Sequence, residues 1–116
     1  MADSIRQTIE KIKKFRDERD WMQFHNHKDM ALSLMLEAGE VLEHFQWKSK
    51  EEIEEYAKNN IGEIGEELAD VAVYLFELAD NLDIDLLRAI DEKLEKNAQK
   101  YPIEKAKGKH FKYDQL

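Results

Sequence analysis

The chain contains no cysteine, which excludes a disulfide framework, a thiolate zinc site and a cysteine nucleophile. One proline and four glycines in 116 residues supply too little turn chemistry for a protein built from β-hairpins. No apolar run is long enough to suggest a membrane span or a secretory signal, so a soluble cytoplasmic protein is expected. Positive charge is also short: 18 lysines and arginines face 26 aspartates and glutamates, a formal net charge of −8. That balance disfavours nucleic-acid polymers and anionic membranes as partners, and a polyanionic small ligand would need metal ions beside it.

Glutamate, lysine, leucine and alanine dominate what is present, and these are helix formers. The expected fold is all-α: a four-helix-bundle-like subunit over residues 1–102, oligomeric, followed by a loosely held tail over residues 103–116. A first helix is expected to start at Ser4, capped with Gln7 three residues on, with Ile5, Ile9, Ile12 and Phe15 as its apolar stripe and a polar end at residues 16–20. Residues 21–28 have no helical period and read as a connection. A second helix is expected over residues 29–46, with Met30, Leu34, Ala38, Val41 and Phe45 as its core face, widened by Met35 and Leu42. A short charged helix capped by Ser49 follows, its glutamates most simply a solvated face.

The third helix, residues 61–81, carries Ile64, Leu68, Val71, Leu75, Leu78 and Leu82 on one side and Ala69, Val73 and Phe76 on nearly the opposite one. A helix apolar on two sides is buried on two sides, which points either to the remaining helices or to a second subunit. A fourth helix should begin after Asp83 or Asp85 and stop near Tyr101, because Pro102 follows.

The most informative pattern is a pair of acids at i,i+3 repeated on two helices, Glu37 with Glu40 and Glu67 with Asp70. By helical periodicity both pairs border their apolar arcs in the same phase, with Tyr74 between the azimuths of the second pair. If the two helices pack antiparallel, the acids converge where partial desolvation makes unpaired negative charge costly. No lysine or arginine interrupts either face there, and an all-oxygen donor set selects Mg²⁺, Mn²⁺ or Ca²⁺ over softer metals, with Mg²⁺ the leading candidate and Mn²⁺ a possible substitute.

Other polar features are weaker. Lys93, Asn97 and Tyr101 follow one another at i,i+4, a strip able to meet phosphate oxygens and a base but equally ordinary surface. Trp21, Phe24, Trp47 and Tyr74 could stack on a heterocycle, although aromatics in small helical proteins usually serve the core. His25 and His27 lack the spacing of a helical zinc pair, so contact with a ligand suits them better. A di-iron bundle would need Glu-x-x-His twice; His44 stands four residues after Glu40, which breaks that motif. No GxxxxGK[ST] or GxGxxG run occurs, so nucleotide chemistry would have to be metal-led.

The strings FRDERDWMQFH, LEAGEVLEHFQWKS, GEELADVAVYLFELA and EKNAQKYP resemble the all-α nucleotide pyrophosphohydrolases of the MazG-like superfamily, particularly the dCTP pyrophosphatase branch. The likeness spans most of the chain. It implies that Glu37, Glu40, Glu67 and Asp70 bind magnesium and that Trp21 and Trp47 enclose the base. Tyr74, Lys93, Asn97 and Tyr101 would meet sugar or phosphates, and His25 and Lys28 would approach the nucleotide. It also implies a homodimer or homotetramer. The chain has EAGEV where family members often have EVGEL, and a loop of its own after Trp47.

The activity expected from these readings is conversion of a dNTP, dCTP or a modified cytosine relative, to dNMP and pyrophosphate, cleansing the nucleotide pool. Water would attack the α-phosphorus with Glu40 the preferred base and Lys93 offsetting leaving-group charge. The competing reading is a noncatalytic helical interaction module, in which the second apolar face of the third helix is the function and the acids are solvated.

Overall fold

The computed structural model describes residues 2–116, with side chains from Ser4 onward, and no strand occurs among the described residues. Six α-helices follow in order: α1 Ala2–Glu18, α2 His27–Glu43, α3 Lys50–Asn59, α4 Ile61–Asn81, α5 Leu86–Lys100 and α6 Ile103–Ala106. Local chemistry sets most of their starts. The Asn26 side chain accepts from the Asp29 amide at 2.9 Å and opens α2 two residues before the apolar pattern does. Ser49 caps α3 by accepting from the Glu52 amide at 3.2 Å. Asp85 caps α5 by accepting from the Arg88 amide at 3.2 Å, and the helix ends before Pro102 as expected.

Ser4, by contrast, is not a cap. Helix α1 already includes Ala2, since neither glycine nor proline interrupts the chain there, and the Ser4 carbonyl accepts from the Thr8 hydroxyl at 2.8 Å.

Helices α2 and α4 run antiparallel. Ser33 lies against Tyr74, Glu37 feels Asp70, and His44 meets Glu67, so position rises on one helix as it falls on the other. Helix α1 packs on the far part of α4, with Lys13 Nζ 3.6 Å from Asp80 and Arg16 Nη1 3.9 Å from Glu77. Met30, Ile64 and Ala79 are the buried apolar residues of this unit, which ends at Asp83.

Two stripes depart from the apolar pattern. On α4 the inward line runs through Ile64, Glu67, Val71, Tyr74 and Leu78, while Leu68, Leu75 and Leu82 of the expected stripe are exposed, as is Val73 opposite. The helix is turned so that Glu67 and Tyr74 join Ile64, Val71 and Leu78 on its inward side. On α1 Phe15 is 52% exposed whereas Arg16, expected in a polar end, is only 6% exposed. The cause is Glu77, 2% exposed on α4, whose buried carboxylate requires partners. His25 Nδ1 lies 2.7 Å from Glu77 Oε2, Asn81 Nδ2 donates to the same oxygen at 3.3 Å, and Arg16 Nη1 donates to Asn81 Oδ1 at 3.4 Å. Arg16 Nε also donates to Asp17 at 2.8 Å, the main reason its pKa is raised. Phe15, displaced outward, takes Trp21 edge-on at 5.7 Å and the Arg19 guanidinium at 3.7 Å.

Residues Ile84–Leu116 form a second unit. Within it the tail carries α6 and a 3-10 turn at Tyr113–Gln115, and Tyr113 meets Tyr101 edge-on at 6.2 Å with Lys100 Nζ 5.0 Å from its ring centre. No helix among the described residues is long and apolar enough to cross a membrane.

Removing Glu77 takes the shared acceptor from His25 and Asn81 and the nearest buried anion from Arg16, which keeps Asp17. We expect Glu77→Ala to destabilise the fold by about 3 kcal/mol, measured by urea denaturation, and Arg16→Met in the same chain to restore part of the loss. A loss below about 1 kcal/mol would show that the network is incidental.

Candidate active site

Periodicity alone brings Glu37 and Glu40 to one edge of α2, and Glu67 and Asp70 to the facing edge of α4; antiparallel packing then sets the pairs opposite each other. The Glu37 carboxyl is held above the ordinary carboxylate range chiefly by loss of water, then by a hydrogen bond shared with Glu40 and by repulsion from Glu40, Asp70 and Glu67. All four acids therefore act on one locus. Glu37 Oε2 and Glu67 Oε2 are both shut off from solvent and outside any aligned hydrogen bond, a costly state for oxygens carrying negative charge; Glu67 Oε2 has the imidazole of His44 2.6 Å away, and Glu37 Oε2 is left without a partner. Among the described residues no lysine or arginine pairs with any of the four.

An orphaned oxygen on Glu37, an all-carboxylate donor set and the absence of a lysine or arginine partner among the described residues fit a hard divalent cation. The side chains do not form a closed cage: among the described residues no three His, Asp or Glu side chains converge on one point. Closing around an ion would take rotation of carboxylates, of which Glu40 and Asp70 are exposed and free to turn.

Tyr74 reaches this edge from the next turn of α4. Burial raises its pKa most, followed by repulsion from Glu37 and Asp70, while a hydrogen bond with Ser33 pulls the other way. The phenol thus stays protonated and keeps a donor beside the acids.

His44 is the residue that sequence reasoning missed. It was weighed only as a di-iron ligand, yet it is 8% exposed, with Nε2 2.6 Å from Glu67 Oε2 and Nδ1 2.7 Å from the Tyr56 hydroxyl. The contact with Glu67 is close enough for an ion pair but is not aligned as a hydrogen bond. The only sequence signal was a histidine one turn beyond an acidic pair.

Trp47 is 92% exposed and has φ 68°. The turn after α2 is thus closed by a tryptophan in the left-handed region that helix ends usually give to glycine, and the indole is held out in solvent. Trp21 is also exposed, with its ring centre 6.4 Å from that of His25. His25 commits Nδ1 to Glu77 and retains Nε2 for another partner. Lys28 is extended into solvent, its nearest anion Asp29 at 3.9 Å. Lys93, Asn97 and Tyr101 lie on α5 in the second unit; Asn97 is half-buried, and its carbonyl accepts from the Tyr101 amide at 2.8 Å.

Residues 32–116 match the MazG-like family. The chain is 39% identical over 115 residues to dCTP pyrophosphatase 1 of Rattus norvegicus and 36% identical to that of Homo sapiens, in each case over 94% of this chain and 68% of the relative. Its structure resembles the crystal structure of a pyrophosphatase from Archaeoglobus fulgidus with a TM-score of 0.81 and 40% identity, covering 84% of this chain and 91% of that one.

The raised pKa of Glu37 has a stability consequence in the metal-free protein. The fold binds this proton more tightly than the unfolded chain does, so the stabilisation is complete below the usual value of 4.5 and is lost as pH rises through the raised value. We expect Glu37→Gln to flatten that loss and to melt higher than the wild type at neutral pH in chelator. Parallel melting curves from about pH 4 to about pH 8 would show that the acids do not repel one another.

Proposed function

The chain belongs to the MazG-like family, and from that membership we propose that it is a Mg²⁺-dependent nucleoside triphosphate pyrophosphohydrolase, cutting dCTP or a modified cytosine dNTP to dNMP and pyrophosphate. The observation that carries the proposal is the opposed pair of acid pairs on α2 and α4, with no lysine or arginine paired to them among the described residues and a buried, unpartnered oxygen on Glu37. The curated relatives, named dCTP pyrophosphatase 1, support the substrate. The work is that of cytoplasmic nucleotide-pool cleansing.

In this reading Glu37, Glu40, Glu67 and Asp70 hold Mg²⁺, for which Mn²⁺ can substitute. When bound, the ion neutralises carboxylates and triphosphate together and polarises the phosphoryl oxygens. Glu40, the outermost of the α2 pair, takes the proton of the water that attacks the α-phosphorus. Tyr74 donates to the substrate from beside the acids. Trp47 supplies a flat, exposed face for the base, with Trp21 as the second aromatic. Lys93, Asn97 and Tyr101 meet sugar and phosphates, and Lys93 offsets the charge of the departing pyrophosphate. His25, through Nε2, and Lys28 approach the nucleotide.

A homodimer or homotetramer completes the proposal. Leu68 and Leu75 on one side of α4, Val73 on the other, and Met35, Leu36 and Leu42 on α2 are all exposed in the single chain, more apolar surface than an isolated small protein ordinarily shows.

The decisive measurement is a nucleotide panel with Mg²⁺ that resolves pyrophosphate from orthophosphate. We expect pyrophosphate from a cytosine dNTP; orthophosphate, or no turnover of any nucleotide, would sink the proposal. Trp47→Ala should weaken nucleotide binding by about 1–3 kcal/mol while leaving Mg²⁺ binding unchanged, which calorimetry with each ligand checks. Val73→Glu should shift sedimentation toward the monomer by placing a charge in an apolar contact; a wild type that sediments as a monomer at micromolar concentration would remove the assembly.

A further inference from the structure

The function proposed above makes no use of His44 or Tyr56, yet the two link α3 to the acid cluster. His44 follows the last turn of α2 and is buried, with one ring nitrogen against Glu67 on α4 and the other against Tyr56 on α3. Where Glu67 serves as an ionised ligand its oxygens only accept, so the ring nitrogen 2.6 Å from Oε2 is the one that bears a proton. An imidazole with one proton can place it on either nitrogen. Placing it on Nε2 leaves Nδ1 with a lone pair, to which the Tyr56 hydroxyl 2.7 Å away can donate. The opposite tautomer would set two lone pairs face to face at Glu67. Lys48 Nζ, 4.3 Å from the centre of the Tyr56 ring, helps to hold the phenol in place.

We propose that His44 is a positioning residue for Glu67, and that Tyr56 acts through it by fixing the Nε2–H tautomer. This rests on the reading of Glu67 as a Mg²⁺ ligand. The imidazole holds one oxygen of Glu67 and limits the rotation of the carboxylate, so less of that rotation has to be frozen when the cation arrives. Helix α3, whose glutamates face solvent, thereby gains a role in the site: it delivers the hydroxyl at the far end of the relay. The rival role for His44 is that of a charged counter-ion which occupies Glu67 and competes with the metal. The two roles predict opposite signs.

The test uses the full-length protein and Mg²⁺ alone, read by calorimetric titration and by thermal shift against Mg²⁺ concentration, with nitrogen-15 spectra of the histidines in chelator. The wild type should show a proton on Nε2 of His44. His44→Leu should raise the Mg²⁺ concentration for half-saturation about tenfold or more. His44→Gln, whose amide N–H still reaches Glu67, should return most of that loss. Tyr56→Phe, which deletes one oxygen and keeps the ring, should mix the tautomers and weaken Mg²⁺ by a smaller factor, about threefold. Unchanged or tighter Mg²⁺ binding by His44→Leu overturns the positioning role, and a proton on Nδ1 in the wild type overturns the tautomer relay. Failure of the metal reading itself shows earlier and separately, as a wild type that binds no Mg²⁺.

Discussion

Repulsion among Glu37, Glu40, Glu67 and Asp70 is the constraint on which the surrounding structure depends. Two helices that packed only on their leucines would let these acids spread into water. Instead α4 is rotated so that Glu67 and Tyr74 lie on the inward line and Leu68 and Leu75 are left exposed. Folding therefore stores unfavourable charge at the α2–α4 edge and displaces apolar surface to the outside of the unit. A cation can relieve the first and subunit association the second. The proposed metal and the proposed oligomer thus follow from one rotation of one helix.

The acids themselves were legible because helical phase is legible: i,i+3 pairs bordering apolar arcs can be placed by angle alone. The caps of α3 and α5 and the stop of α5 before Pro102 were legible for a related reason, since serine, aspartate and proline act through the local backbone. Partners set by tertiary contact were not. Arg16 reads as the polar end of a helix, and only the burial of Glu77 on a distant helix turns it inward. Glu77 reads as one more glutamate in an acidic chain. The rotation of α4 was hidden for the same reason, because an apolar arc that includes Leu68 looks better buried than one that includes a carboxylate. His44 was set aside on spacing within one helix, whereas its two partners come from two others.

Glu77 and the site acids are treated in opposite ways. Glu77 is the more deeply buried, yet His25 and Asn81 meet its carboxylate directly and Arg16 stands nearby. The result is a closed polar network that joins α1 and the 3-10 turn at Met22–Phe24 to α4. Glu37 keeps an orphaned oxygen at the border of the core, and Glu67 has only the unaligned imidazole of His44 beside its own. A chain that satisfies one buried carboxylate fully within its own fold satisfies these two less well, and the contrast is what the proposed cation would use.

Trp47 carries a further consequence. A β-carbon at a left-handed helix end costs about 1–2 kcal/mol that a glycine would not, and the indole recovers little of it by packing because it stands in solvent. On the role proposed for it, base recognition and heat resistance compete for one position: glycine would favour the fold and remove the platform. Lineages of this chain adapting to hotter surroundings would have to gain stability elsewhere, leaving this corner as a fixed debit that marks where recognition outranks durability.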